Sequence, residues 1–168
     1  MTKPLVLYHG SCPDGFCAAW VAHRALGDVE LHPAKYGEAP PNVMGRTVYV
    51  LDFSFPRAVL EDWHRRHANL VVLDHHKSVI KDLAGLPYVT LDVERSGARL
   101  TWDHFFPEGN RALPALVAYV EDRDLWRWAL PHTSAVMPGS APGTSGWLSG
   151  IACTAISARA GRRPGCLG

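Results

Sequence analysis

The sequence predicts an α/β fold with a five-stranded, mostly parallel sheet and helices on both faces. The first observation is an alternation of short apolar runs with amphipathic helical segments, which is typical of strand–helix–strand units. The second is that these runs are apolar at nearly every position, as in strands buried on both faces. The third is the length of 168 residues, which fits about one domain.

Each predicted strand is an apolar run bounded by glycine, proline or polar residues. In chain order the runs are PLVLYHG, VELHP, TVYVLDF, NLVVLD and PYVTLD. A helix, DGFCAAWVAHRALG, follows the first run, because Phe16, Trp20 and then His23 or Leu26 recur at helical spacing. Gly27 stands where a helix C-cap would lie.

Four further helices are predicted by apolar spacing and by residues suited to helix ends. PRAVLEDWHRRH starts with Pro56, a residue favoured in a first helical turn. SVIKDLAG and SGARLTWDHFF follow the fourth and fifth strands. The last, ALPALVAYVEDRD, has apolar residues at i, i+3, i+4 and i+7: Leu113, Leu116, Val117 and Val120.

The composition changes after residue 130. All 16 acidic residues lie at or before Asp124, and residues 131–168 are rich in Gly, Ser, Pro and Ala. We therefore predict one domain over residues 1–130 and an irregular, low-complexity tail over 131–168. The tail is interpreted either as a flexible extension or as the product of a truncation or a reading-frame change.

Charge and cysteine content narrow the classes of function. A net charge of +1 gives no strong field to hold duplex nucleic acid or an acidic membrane surface. No apolar stretch has the length of a signal-peptide core or a membrane span. The four cysteines, Cys12, Cys17, Cys153 and Cys166, form no CxxC pair, which argues against a zinc ribbon and predicts a reducing, cytoplasmic location.

Acidic residues and histidines follow consecutive strands. Asp52, Asp74 and Asp92 each end an apolar run, and the first run ends at His9. Open parallel sheets bind ligands at the carboxyl ends of their strands. The sequence therefore predicts a cluster at this edge that consists of His9, Asp14, Asp52, Asp74, His75 and His76.

Imidazole and carboxylate donors together favour Mn²⁺, Mg²⁺, Fe²⁺ or Zn²⁺ in a hydrolytic site. Two such ions about 4 Å apart could share one carboxylate. The chain has no GxxxxGK[ST], GxGxxG or GxSxG motif that would indicate a phosphate loop, a dinucleotide site or a serine nucleophile. The alternative is that the strand-terminal acids cap helices, and for Asp92, before VERSG, we favour that alternative.

These residues resemble the motifs of the DHH phosphoesterase superfamily. The triplet Asp74–His75–His76 lies in VVLDHHKS, and YHGSCPDGFCAAW, VLDFSFP, SGARLTW and YVEDRDLW resemble the other motifs in their usual order, over residues 5–128. The resemblance implies the fold of the DHH N-terminal domain and two divalent metal ions, usually Mn²⁺. It also implies hydrolysis of phosphoester bonds in nucleotides or short oligonucleotides through a metal-activated water.

The resemblance also implies a set of metal ligands, with Asp52 as the carboxylate that bridges both ions. For the last ligand, the motif spacing to Trp126 favours Asp122, whereas helical periodicity puts Asp124 on the face of Val117 and Val120; we keep both, with a slight preference for Asp122. The implied ligands are His9, Asp14, Asp52, His75 and either Asp122 or Asp124.

By the same resemblance, His76 is a catalytic residue that contacts a substrate phosphate oxygen. Asp74 is assigned to catalysis as the residue that orients the two histidines. Lys77 and Arg95 are candidate phosphate partners, for which the alternative is that each is a solvated surface charge.

The sequence departs from the family pattern at two points. Many members have an acid where Cys12 stands. A thiolate at this position could bind a softer cation such as Zn²⁺ or Fe²⁺, but we favour the interpretation that Cys12 is a small turn residue that binds no metal. Members normally continue into a smaller C-terminal domain, which residues 131–168 do not resemble. The alternative function is therefore a truncated, catalytically impaired metal-binding domain that acts at most as a binding module.

Candidate partners are a small phosphoester or nucleotide and a short single-stranded oligonucleotide, and the oligomeric state is open.

Overall fold

The computed structural model describes residues 2–66, 69–107 and 111–136. Within them lie five strands, β1 (Leu5–His9), β2 (Glu30–Ala34), β3 (Thr47–Leu51), β4 (Asn69–Asp74) and β5 (Val89–Leu91). They form one sheet in the order β2-β1-β3-β4-β5, and every neighbouring pair is parallel. The α/β class and the five-stranded parallel sheet predicted from the sequence are confirmed.

Six helices lie in the described residues: α1 (Pro13–Leu26), α2 (Arg57–Arg65), α3 (Ile80–Leu83), α4 (Gly97–Phe105), α5 (Ala115–Asp124) and α6 (Thr133–Val136). A single 3-10 turn, Lys77–Val79, leads into α3. The first helix ends at Gly27, whose φ of 81° is a left-handed conformation that glycine adopts without a steric penalty.

The helices cover the sheet in two apolar layers. Side chains alternate across each strand, so Val6 of β1 packs with α1, α4 and α5, whereas Leu5 and Leu7 pack with α2 and α3. In the second layer α2 contributes Leu60 and Trp63, both buried. The sheet is therefore buried on both faces, which is why its strands have almost continuous apolar sequences.

Two helices differ in detail from the sequence-based expectation. In α1 the side chains that are fully buried are small, such as Ala18 and Ala22, while Phe16 and Trp20 are only half-buried. Small residues let α1 approach the sheet closely, and the large ones cover the edge of the interface. The last predicted helix begins at Ala115 rather than earlier, because Pro114 in an extended conformation occupies its N-cap.

The strand order creates a crevice between β1 and β3. From β1 the sheet continues to β2 on one side and to β3 on the other, which makes this position the topological switch point. Ligands of open α/β sheets bind at that point, beside the carboxyl ends of the strands. His9 is the last residue of β1 and Asp52 directly follows β3, so the two lie at the mouth of this crevice.

The chain divides into two units, Met1–Met137 and Pro138–Gly168. The second unit, and with it most of the predicted tail, lies outside the described residues. The start of that tail is described as far as α6, where Thr133 is buried. Within the part of the chain that the structure describes, no helix combines the length and the apolar character that a membrane crossing requires.

Gly15 allows the first turn of α1 to lie against the end of β1. A Cβ atom at this position would lie 2.4 Å from the carbonyl oxygen of His9 and 2.7 Å from its Cβ. Because these atoms belong to or adjoin the backbone, we expect Gly15→Ala to lower the free energy of unfolding by about 1–3 kcal/mol. Denaturant unfolding measures this change, and Ser11→Ala, at an exposed position of the same turn, should alter it by less than about 0.5 kcal/mol. Equal stability of the two variants would contradict the close approach.

Candidate metal centre

Asp52 is one of two fully buried acidic residues at the sheet edge, the other being Asp74. The backbone φ of Asp52 is 53°, which is unusual for a residue other than glycine. Its backbone N–H donates to the carbonyl of Leu73 at 2.9 Å. A Cβ at Gly97 would lie 2.4 Å from the Cβ of Asp52, so the start of α4 closes directly over it. The carboxylate is thus held in one position.

The two oxygens of the Asp52 carboxylate face different neighbours. Oδ1 lies 3.1 Å from Nε2 of His75. Oδ2 accepts a hydrogen bond from the Cys12 thiol at 3.1 Å and lies 3.6 Å from Nδ1 of His9. Burial by itself would raise the pKa of Asp52, but these neighbours outweigh burial and hold that pKa below its ordinary value.

His75 lies among three carboxylates. Its Nε2 atom is 3.1 Å from Asp52, 3.5 Å from Asp14 and 3.5 Å from Asp124. Burial lowers the pKa of this imidazole, but the contact with Asp52 and the surrounding negative charges outweigh burial and raise the pKa to about 9. The excess of acidic groups around one imidazole is the electrostatic setting that a bound cation relieves.

Asp14 joins this group from the first turn of α1. It is buried, and its two oxygens accept the backbone N–H groups of Gly97 at 2.6 Å and of Ala98 at 2.9 Å. These bonds satisfy free donors at the start of α4 and fix the carboxylate. Burial, followed by the charges on Asp52 and Asp124, raises the pKa of Asp14 well above its ordinary value.

Asp74 orients both histidines of the DHH triplet. Its Oδ1 accepts the backbone N–H of His75 at 2.7 Å and lies 2.7 Å from Nδ1 of His76. The hydroxyl of Ser54 donates to the other oxygen. The hydrogen bond with Asp74 raises the pKa of His76, and because it uses Nδ1, the other ring nitrogen, Nε2, has no contact with Asp74. These contacts are the ones that an orienting residue makes, and the catalytic role of Asp74 stays a prediction.

A cavity of about 410 Å³ adjoins the two histidines. His76 lies in its wall with about a third of its side chain exposed. Exposed Lys77 also borders the cavity. The lining residues are His75, His76, Lys77, Val93, Glu94, Leu125 and Arg127. The lining thus carries two cationic side chains, Lys77 and Arg127, and one acidic side chain, Glu94, and this excess of positive charge suits an anionic ligand.

Among the described residues, three groups of side chains bring metal-binding atoms within 4.8 Å of one another. The groups are His9, Cys12 and Asp52; Asp52, His75 and His76; and Asp14, His75 and Asp124. Nδ1 of His9 is buried and has no hydrogen-bond partner within the described part of the chain. A buried donor atom without a partner is unfavourable unless a ligand occupies it, so the residues present fit divalent metal ions.

Helix α5 brings Asp124, and not Asp122, to the cluster around His75. Asp122 belongs to none of the three groups. Its carboxylate accepts backbone N–H groups of Ala129 at 2.8 Å and Leu130 at 3.2 Å, and also the hydroxyl of Thr133. The geometry therefore favours Asp124 over the slightly preferred Asp122, whose oxygens fix the segment after α5. Which of the two acids binds a metal stays a prediction.

Of the two predicted phosphate partners, the structure places only Lys77 at the cavity. Arg95 donates from Nε to Asp92 at 2.7 Å and from Nη1 to Asp103 at 2.9 Å, so two of its three guanidinium nitrogens are paired with carboxylates. Because Arg95 does not line the cavity either, the geometry does not support it as a phosphate partner, and that role stays a prediction. Asp92 itself accepts the backbone N–H of Glu94 at 2.9 Å, as the capping interpretation expects.

Sequence reasoning missed three contributors to this site. Cys12 was expected to be a plain turn residue, yet its sulfur contacts Asp52. Ser54, two residues after Asp52, donates a hydrogen bond to Asp74 at the end of the neighbouring strand β4. No local sequence pattern predicts this contact. Gly97 was visible only as part of SGARLTW, although a glycine at a predicted helix start is a signal for close packing against another element.

Comparison with known proteins gives relatives of uncharacterized function. No family model matches the chain. It is 30% identical to uncharacterized protein R106 of Acanthamoeba polyphaga mimivirus, over 77% of this chain and 35% of the viral protein. Its fold is similar to that of an uncharacterized protein from Helicobacter pylori G27, with a TM-score of 0.59 and 18% identity, over 74% of this chain and 44% of that one. The chain thus spans less than half the length of each.

Asp122 and Asp124 should have opposite effects on stability. Asp122→Asn removes charge from a carboxylate that accepts three hydrogen bonds, so it should lower the midpoint of thermal unfolding. Burial and the charge on Asp52 raise the pKa of Asp124, which means that folding disfavours its ionised form. Asp124→Asn should therefore raise the midpoint at pH 7 in the presence of a chelator.

Calorimetry of both variants in the chelator buffer measures the two shifts. A fall in the midpoint for Asp124→Asn, equal to that for Asp122→Asn, would show that the two acids do not differ in the way these contacts indicate.

Proposed function

We propose that this chain is a divalent-metal-dependent phosphoesterase of the DHH type, which hydrolyses phosphoester bonds of nucleotides or short oligonucleotides. The observation that carries the proposal is the position of Asp52, whose two oxygens belong to different groups of metal-binding side chains. A carboxylate shared in this way is what a pair of neighbouring cations requires. The ordered DHH motifs supply the reaction class.

The side chains divide between two cation positions. Oδ2 of Asp52 together with His9 would hold one cation, and His75 with Asp14 and Asp124 would hold the other, next to Oδ1. Divalent cations at such positions lower the pKa of water and neutralise charge on phosphoryl oxygens. Asp74 keeps the backbone of His75 in place, so that Nε2 stays directed at the three acids.

His76 is assigned the contact with the phosphoryl group. Asp74 holds Nδ1 of His76 and raises the pKa of the ring, which favours its protonated form. The N–H at Nε2 can then donate a hydrogen bond to a phosphate oxygen. Lys77, on the same cavity wall, adds positive charge close to this position. Fixed donors of this kind stabilise charge that develops in the transition state of phosphoryl transfer.

The alternative proposal is a catalytically impaired metal-binding domain that serves as a binding module. Binding of Mn²⁺ or another divalent ion without turnover of any phosphoester would favour this alternative. Mn²⁺ as the resident ion, a cytoplasmic location, and nucleotide or single-stranded oligonucleotide substrates remain predictions. The activities of the longer relatives are likewise open, since this chain covers 35% and 44% of them.

Asp52→Asn is the variant that tests the proposal most sharply. We expect it to lower kcat/KM for metal-dependent release of phosphate or nucleotide by more than about 100-fold, beyond the 10–100-fold typical of residues that only support metal ligands. The assay is a panel of phosphoesters, which includes mononucleotides and short oligonucleotides, with Mn²⁺, Mg²⁺, Fe²⁺ and Zn²⁺ titrated separately. Asp92→Asn is the matched control, because Asp92 also follows a strand but pairs with Arg95. Equal and small losses in both variants would overturn the proposal.

The two adjacent histidines should separate metal binding from turnover. His75→Ala removes a nitrogen that lies within 3.5 Å of three carboxylates, so we expect metal content to fall. His76→Ala should retain most of the metal and lose turnover, because its ring is held by Asp74 and borders the cavity. Elemental analysis and activity of both variants measure this division. An identical loss of metal in both would show that the assignment of roles is incorrect.

A further inference from the structure

Cys12 connects β1 and α1 at the centre of the proposed site. Its sulfur lies 3.1 Å from Oδ2 of Asp52, and its metal-binding atom and those of His9 and Asp52 all lie within 4.8 Å of one another. Burial raises the pKa of the thiol, and the charges on Asp52 and Asp14 raise it further. Without a cation, the thiol therefore serves as a hydrogen-bond donor to Asp52.

A capping role alone does not account for a cysteine at this position. The sulfur of Cys12 also accepts the backbone N–H of Gly15 at 3.4 Å, as an N-cap side chain does. Serine, threonine, aspartate and asparagine fulfil that role better, because sulfur is a weak acceptor. The distinct property of cysteine here is its affinity for soft metal ions.

The donor atoms lie close to the separations expected around one tetrahedral ion. With metal–sulfur distances of about 2.3 Å and metal–nitrogen or metal–oxygen distances of about 2.1 Å, ligand atoms lie about 3.4–3.8 Å apart. Nδ1 of His9 lies 3.6 Å from Oδ2 of Asp52, within this range. The sulfur of Cys12 lies 3.1 Å from the same oxygen, which is shorter than the range because the thiol donates a hydrogen bond to it when no cation is bound. Nδ1 of His9 is also the buried nitrogen that has no partner among the described residues.

We propose that Cys12 is a metal ligand, and that His9, Cys12 and Asp52 form a position selective for a thiophilic divalent cation such as Zn²⁺ or Fe²⁺. Coordination replaces the S–H bond by a sulfur–metal bond and releases the thiol proton to solvent. This proposal rests on the proposed function for the shared role of Asp52. It reverses the expectation that Cys12 binds nothing.

The neighbouring position has different chemistry. Asp14, His75 and Asp124 offer only oxygen and imidazole donors, which suit Mn²⁺ or Mg²⁺ as well as Zn²⁺. The two positions therefore differ in the softness of their donor atoms, because only the first includes a thiolate. A centre with one thiophilic and one harder ion follows from the donor sets.

Titration with Co²⁺ tests the proposal directly, since a thiolate bound to Co²⁺ gives a charge-transfer absorption band in the near ultraviolet. We expect the full-length chain to show this band and Cys12→Ser to lack it while still binding Co²⁺ through the second position. Serine preserves the capping acceptor, and circular dichroism verifies that the variant is folded. If Cys12→Ser is unstable, Cys12→Asp serves as the second variant, with the same expected loss of the band.

Two controls address the other thiols of the chain. Cys17→Ala removes a buried thiol of α1 that belongs to none of the groups, and it should keep the band. The double variant Cys153→Ser/Cys166→Ser, which removes the remaining cysteines, should also keep it. After incubation with Zn²⁺, Cys12→Ser should retain about one fewer zinc ion per chain than wild type.

The outcomes separate the two proposals. A band that persists in Cys12→Ser, or disappears in the double variant, would overturn the assignment of Cys12. Binding of Mn²⁺ and turnover in a wild-type chain without any thiolate band would also overturn it and leave the proposed function standing. Absence of binding for every cation would overturn both.

Discussion

The buried carboxylate of Asp52 is the group around which the sheet edge is organised. Full burial of an ionised carboxylate is strongly unfavourable unless hydrogen bonds or opposite charges surround it. Here the compensating groups come from three separate elements, since His9 ends β1, Cys12 precedes α1 and His75 follows β4. The parallel sheet is what allows this convergence, because it places the ends of β1, β3 and β4 side by side.

The acidic residues near the site fall into two classes, those whose carboxylates accept hydrogen bonds from backbone N–H groups and those that contact His75. Asp122 is occupied by the segment after α5, and Asp74 by the residues that follow β4. Within the described residues, Asp52 and Asp124 accept no backbone N–H and face His75 instead. Asp14 belongs to both classes, because it caps α4 and also lies 3.5 Å from that imidazole. Residue type alone therefore does not assign these roles.

Much of the architecture and part of the site follow from the sequence. Continuous apolar runs identify all five strands, and parallel strands bring their terminal acids and histidines to one edge. The choice between Asp122 and Asp124 in α5 was harder to make from the sequence. Spacing to Trp126 was misleading, because that residue lies beyond the helix with φ at 54° and an exposed ring. Helical phase was the better guide, since it places Asp124 on the same face of α5 as the core residues Val117 and Val120. The pairing of Arg95 with Asp103 depends on where α4 begins, which no local pattern specifies.

The central claim is that Asp52 joins two cation positions. Anomalous X-ray diffraction from crystals grown with Mn²⁺ and Zn²⁺, recorded at both metal absorption edges, measures this directly. The account predicts two peaks about 4 Å apart, with one oxygen of Asp52 directed at each ion. A single ion that Asp52 does not contact, or ions only outside the group of His9, Asp14, Asp52, His75 and Asp124, would contradict it.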